Sequence, residues 1–132
     1  MKIMRNKIDL SPNQTKKRRK INDIKFIIIH YTGMQSEIES IKRLKDPASK
    51  VSSHYLINRA GKIIEMVHER KTAWHAGKSR WKNFINLNRY SIGIELVNKG
   101  HEFGYEKFPD IQINSLIKLC KSLKKRYKIN KE

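Results

Sequence analysis

Apolar side chains gather in short runs along this chain, and the runs follow two different periods. Residues 24–30 (IKFIIIH) form a nearly continuous, β-branched run. That pattern predicts a strand buried on both faces, ending at Tyr31-Thr32-Gly33. Residues 91–97 (SIGIELV) put Ile92, Ile94 and Leu96 on one side, which predicts a second strand. Residues 51–58 and 62–67 flank Arg59-Ala60-Gly61 and read as a hairpin, with Gly61 free to take a positive φ. Two stretches carry the helical period instead. Ser36 with Glu39 makes a capping box, and Ile38, Ile41 and Leu44 give one apolar stripe until Asp46-Pro47. After Pro109, Asp110 reads as an N-cap, followed by Ile113, Leu116, Ile117, Cys120, Leu123 and Tyr127 at helical spacing. The order is β-α-β-β-loop-β-α, an α/β pattern in which a strand after the last helix would be natural.

Composition narrows this picture. At 132 residues the chain is the size of one small domain. Lys+Arg number 30 against 12 Asp+Glu, a net charge of +18 that points to an anionic partner. Residues 1–22 read as a basic flexible tail around Lys16-Lys17-Arg18-Arg19-Lys20, with the domain proper at 23–132. That run suits either an anion-binding patch or a solvated, self-repelling segment. No stretch approaches the ~18 apolar residues of a membrane span, and no apolar run follows the basic start to make a signal peptide. The cytoplasm is then the default compartment. The single Cys120 excludes an internal disulfide and an all-Cys zinc site, and it falls on the apolar stripe as a core residue.

Candidate chemistry rests on the histidines and one acid. His30 ends the first strand, where α/β sheets place ligand-binding groups, and neutral imidazole there suits zinc. An ordinary strand-terminal histidine gives the same pattern. Glu95 stands in an otherwise apolar strand; a buried carboxyl suits proton transfer, and an edge strand would turn it to solvent. His75 lies in an irregular stretch, AWHAG, with the look of a substrate wall. His54 reads as structural, and His68 and His101 as surface residues. No HExxH, P-loop or GxGxxG occurs.

Taken together and in order, four segments resemble one family. They are His30-Tyr31-Thr32, VSSHYLI at 51–57, AWHAGKSRW at 73–81 and NRYSIGIELVN at 88–98. They resemble the type 2 N-acetylmuramoyl-L-alanine amidases, which share a fold with peptidoglycan recognition proteins and phage amidase lysozymes. Over residues 24–128 the pattern looks most like the bacterial amidases of anhydromuramyl peptides. The resemblance implies a mixed central β-sheet with helices packed on it. It implies one zinc held by two His and one Asp or Cys, and cleavage of the amide joining the lactyl group of N-acetylmuramic acid to L-alanine. Position by position, His30 matches the first zinc ligand and Glu95 the catalytic carboxylate. Trp74, His75, Ala76, Gly77 and Asn98 match substrate-binding positions. Ser53 stands where phage members carry a catalytic tyrosine, a role that Tyr55 does not inherit. Lys78, Arg80 and Arg89 would give an acidic stem peptide a basic groove.

The sequence departs from that family at its end. Members continue past the last helix into a final strand and loop carrying two more zinc ligands and a lysine, whereas residues 125–132 match only the end of the helix. The expectation is a fold lacking that strand and loop, with two ligands beyond residue 132, little zinc binding and weak or absent amidase activity. A second class on the same fold is a non-catalytic binder of peptidoglycan or muropeptides. Nucleic acid is the weaker partner, because the basic residues are spread along the chain and no DNA-binding motif is present. A muropeptide substrate also admits the periplasm and cell envelope, and oligomeric state is not readable.

Overall fold

The alternating residues of 91–97 become an inner strand of a sheet. A computed structural model describes residues 1–104 and 106–129. In chain order its elements are β1 (Ile3–Met4), β2 (Gln14–Thr15), β3 (Phe26–Tyr31), α1 (Glu37–Lys45), β4 (Tyr55–Ile57), β5 (Ile63–Glu65) and β6 (Thr72–Ala73). They continue with β7 (Arg80–Trp81), β8 (Phe84–Ile85), α2 (Leu87–Tyr90), β9 (Ser91–Leu96) and α3 (Asp110–Tyr127). The main sheet runs β1-β5-β4-β9-β3. β9 is parallel to both β3 and β4, the β4–β5 hairpin is antiparallel, and β1 adds in parallel to β5. This is the mixed α/β sheet that the resemblance implies.

The strand period sorts side chains to two faces. Tyr55, Ile57, Ile63, Ile92, Ile94 and Leu96 bury against Leu119 and Leu123 of α3. Leu56, Ile64 and Val97 pack on the other side against Leu44 of α1. Gln112 of α3, itself buried, donates to the carbonyls of Ile57 (3.0 Å) and Val97 (3.1 Å), tying the ends of β4 and β9 to the helix. Ser36 caps α1 by accepting from the Glu39 N–H, as its spacing predicts.

Several expectations change. β3 is an outer strand of the described sheet, paired only to β9, and Ile29 is 48% exposed. It is therefore not buried on both faces, because a run of isoleucines does not reveal its place in the strand order. Ile38 and Ile117 are exposed as well, so each helical stripe is narrower than its sequence spacing. The N-cap of α3 is Pro109, with Asp110 the first helical residue. Residues 1–22 are not a loose tail. β1 joins the main sheet, β2 pairs with β6, and Ser11, Asn13 and Arg19 are buried. Among the described residues no helix is long and apolar enough to cross a membrane.

Candidate active site

His30 and Glu95 are direct partners across the parallel β3–β9 ladder, and Leu56 of β4 is Glu95's partner on its other side. Paired residues project to one face, so both chemical groups stand on the α1 side of the sheet. There Glu95 and His75 line a pocket of about 170 Å³, walled by Thr32, Met34, Arg43 and Ser52 among others. Glu95 Oε2 is buried and has no hydrogen-bond partner among the described residues. Burial pushes the carboxyl up to about 8, an effect that nearby Arg43 partly opposes.

His75 reaches this face from the loop after β6. Its backbone N–H and that of Ala76 both donate to Asn88 Oδ1, at 3.0 and 2.7 Å. Its ring lies over Gly93, where any Cβ would stand 2.5 Å from the ring Cγ and Cδ2. Nδ1 is 3.0 Å from His30 Nε2, and Nε2 is 2.9 Å from Ser91 Oγ. Burial, then the neighbouring His54, His30 and Arg19, push His75 down to about 2. Burial alone lowers His30.

His54 is a framework residue, as its sequence context suggests. It is fully buried, accepts from the Gly93 N–H at Nδ1 (3.0 Å) and therefore donates from Nε2 to the Lys71 carbonyl (2.8 Å). Tyr55 faces away from the site, its hydroxyl donating to Glu69. His68 is exposed beside Glu65 (2.9 Å), and Cys120 packs half-buried on the core.

The substrate-loop expectations divide. Trp74 is half-buried and its indole N–H donates to Thr15 Oγ1 (3.2 Å), while Gly77 takes a positive φ in open space. Asn98 does not face a groove. It is 2% exposed, its amide donates to the Glu106 carbonyl (3.0 Å), and its Oδ1 accepts from the Gly100 N–H (2.9 Å). With both polar ends engaged, it ties down the loop after β9 instead of reading a ligand. His75, expected as a groove wall, borders the pocket but has both ring nitrogens committed to protein groups.

Sequence reasoning missed the parts that hold the site. Arg19 is 5% exposed and donates to the carbonyls of Glu69 (2.9 Å), Asn88 (3.1 Å), Arg89 (3.0 Å) and Ser91 (2.7 Å). It thereby clamps the segment carrying Asn88 and Ser91. Burial brings its guanidinium down to about 10, still charged at neutral pH. Gly93 was the one readable clue, since a glycine inside a strand marks a close approach. Among the described residues no three His, Cys, Asp or Glu side chains gather to hold a metal ion.

Comparison with known proteins agrees with this fold. The family model described as N-acetylmuramoyl-L-alanine amidase matches residues 20–132. The N-acetylmuramoyl-L-alanine amidase AmiD of Escherichia coli is 39% identical over 121 residues, covering 83% of this chain and 43% of that protein. The 1,6-anhydro-N-acetylmuramyl-L-alanine amidase AmpD of Haemophilus influenzae is 32% identical over 134 residues, covering 88% and 71%. Among solved structures, AMPDH3 of Pseudomonas aeruginosa superposes with a TM-score of 0.74 at 33% identity, over 86% of this chain and 49% of that one. E. coli AmiD, in complex with the substrate anhydro-N-acetylmuramic acid-L-Ala-D-gamma-Glu-L-Lys, gives 0.73 at 36%, over 89% and 48%. The chain thus spans about half the length of several relatives it matches. With that family match over most of its length, and the mixed sheet shared with those structures, the chain belongs to the N-acetylmuramoyl-L-alanine amidase family.

Proposed function

We propose that this chain acts on muropeptides as an N-acetylmuramoyl-L-alanine amidase domain, with Glu95 as its proton-transfer residue and His30 and His75 beside it. The bond in question joins the lactyl carbonyl of N-acetylmuramic acid to the nitrogen of L-alanine. The observation that carries the reading is Glu95, which lines a pocket and whose buried Oε2 has no hydrogen-bond partner among the described residues. A carboxyl raised to about 8 holds its proton for much of the time near neutral pH. It can deliver that proton to the alanine nitrogen as the amide breaks, and can take one from an attacking water in its ionised form. Arg43 at the pocket wall is a cation suited to the carboxylates of a stem peptide.

The resemblance also implies zinc, with His30 as one ligand. Zinc would polarise the carbonyl and acidify a bound water. Its sites use three protein ligands at least. The described residues offer His30 and Glu95 and no cluster of three, so by themselves they do not fit that ion, and no step is assigned to it. The same observation favours a second reading, in which the 132-residue chain binds muropeptide without cutting it.

The two readings share one requirement and part at a second. Titration calorimetry of the purified chain with an anhydromuramyl tripeptide should show saturable binding in either case, unaltered by Glu95→Gln. Mass spectrometry should then detect release of the free peptide, slow and abolished by Glu95→Gln, if the chain is an amidase. Binding with no release, indifferent to chelator, marks the binding module. Absence of binding would overturn both.

A further inference from the structure

The hydrogen-bond chain running through His75 has only one consistent set of proton positions. The Ser91 hydroxyl lies 2.6 Å from the Leu87 carbonyl, which can only accept, so Ser91 donates there. Its single proton is then used, and at 2.9 Å it must accept from His75 Nε2. A neutral imidazole carries one N–H, so His75 Nδ1 holds a lone pair. The group 3.0 Å away from that lone pair is His30 Nε2, which must be the donor. His30 is thereby left with its proton on Nε2 and its lone pair on Nδ1.

Each participant is held from a different element. Asn88 grips the backbone of His75 and Ala76. Gly93 gives the ring room that a Cβ would remove. His54, packed edge-on at a ring separation of 6.2 Å, cannot compete for the His75 nitrogens, because its own Nδ1 accepts from Gly93 and its Nε2 faces Lys71. At pH 7.5 an imidazole ordinarily carries a single proton, as these proton positions require. Arg19 closes the arrangement by binding the carbonyls of Asn88 and Ser91, the two residues that hold His75.

We infer that His75 is a positioning residue, whose ring receives the Nε2 proton of His30 and so presents His30 Nδ1 as the one nitrogen free to accept. This differs from a substrate-wall role: His75 acts through His30 and not on a ligand. The proton arrangement stands apart from the amidase reading; only the use made of Nδ1 rests on it.

The test is ¹⁵N NMR of the histidine rings in the uniformly labelled full chain at pH 7.5. Both rings should show protonated Nε2 and unprotonated Nδ1, with a scalar coupling across the hydrogen bond between His30 Nε2 and His75 Nδ1. In His75→Asn, whose Oδ1 can stand in for the acceptor, the His30 N–H should stay visible and slow to exchange with water. In His75→Phe it should exchange with solvent and the ring should sample both tautomers. A proton on Nδ1 of either histidine in the unaltered protein would overturn the inference, as would a His30 signal that His75→Phe leaves unchanged. The spectrum of the unaltered chain decides the first point even if a variant fails to fold. Neither outcome depends on muropeptide binding, so failure here and failure of the functional reading are separable.

Discussion

Gly93→Ala is the sharpest structural test of the site. The glycine lies in the middle of β9 and has no positive φ to defend, so alanine would ordinarily be favoured there by about 0.5–1 kcal/mol. Only the close approach of His75 forbids it. The new Cβ would sit 2.5 Å from Cγ and Cδ2 and 2.8 Å from Nδ1, distances at which something must move. The ring cannot retreat freely, since His30 and Ser91 hold its two nitrogens and Asn88 its backbone. Overpacking of this kind costs about 1–3 kcal/mol, and expelling the ring forfeits two hydrogen bonds at about 1 kcal/mol each. Set against the strand preference, the net loss is about 3 kcal/mol, or a fall in Tm of roughly 10 °C for a domain of this size. Urea unfolding followed by tryptophan fluorescence measures it, with Trp74 adjoining the moved residue. The decisive arm is the cycle with His75→Ala. In that background Gly93→Ala should cost nothing and even recover a few tenths of a kcal/mol. A Gly93→Ala variant within 0.5 kcal/mol of the parent, or an equal cost in both backgrounds, would refute the reasoning.

Three further outcomes follow from the same framework. Arg19→Met should destabilise by about 3 kcal/mol or more, because it strips a charged donor from buried carbonyls, whereas the exposed neighbour Arg18→Met should stay within about 0.5 kcal/mol; chemical denaturation of the pair checks this. Glu69→Ala should loosen the end of α3, since its carboxylate takes hydrogen bonds from Tyr55, Tyr127 and Arg126; hydrogen exchange should quicken at the last turn before it does in β9. Burial, then the charge of Arg19, push His54 down to about 3, against the ordinary histidine value of about 6.5 that the unfolded chain keeps. Below that unfolded value the unfolded chain binds the proton that the folded one refuses, so stability falls as pH falls. Between pH 7 and 5 His54 should account for about 2 kcal/mol of lost stability, and His54→Asn, which keeps an acceptor toward Gly93, should flatten that part of the curve; an unchanged slope would count against it.

What was legible in the sequence, and what was not, divides by the distance over which the cause acts. The β4–β5 hairpin and the cap of α1 are decided by neighbours a few residues apart, and their residues announce them. The family motifs likewise led to His30 and Glu95, whose pairing in the ladder the structure supplies. β3 was misjudged because its apolar run is compatible with any position in the strand order. Asn98 was misjudged because a motif position does not say where an amide's two ends are already engaged. The clearest case is the run Lys16–Lys20. Charge counting sees five like cations and infers a solvated tail. The carbonyls that Arg19 binds lie 50 to 72 positions along the chain, in the loop before β6, in α2 and at the start of β9. One cation of that run, Arg19, meets those carbonyls, and its neighbours then ride on the surface. The basic segment is therefore one buried clamp with exposed flanks, and the clamp holds the two residues, Asn88 and Ser91, on which the placement of His75 depends.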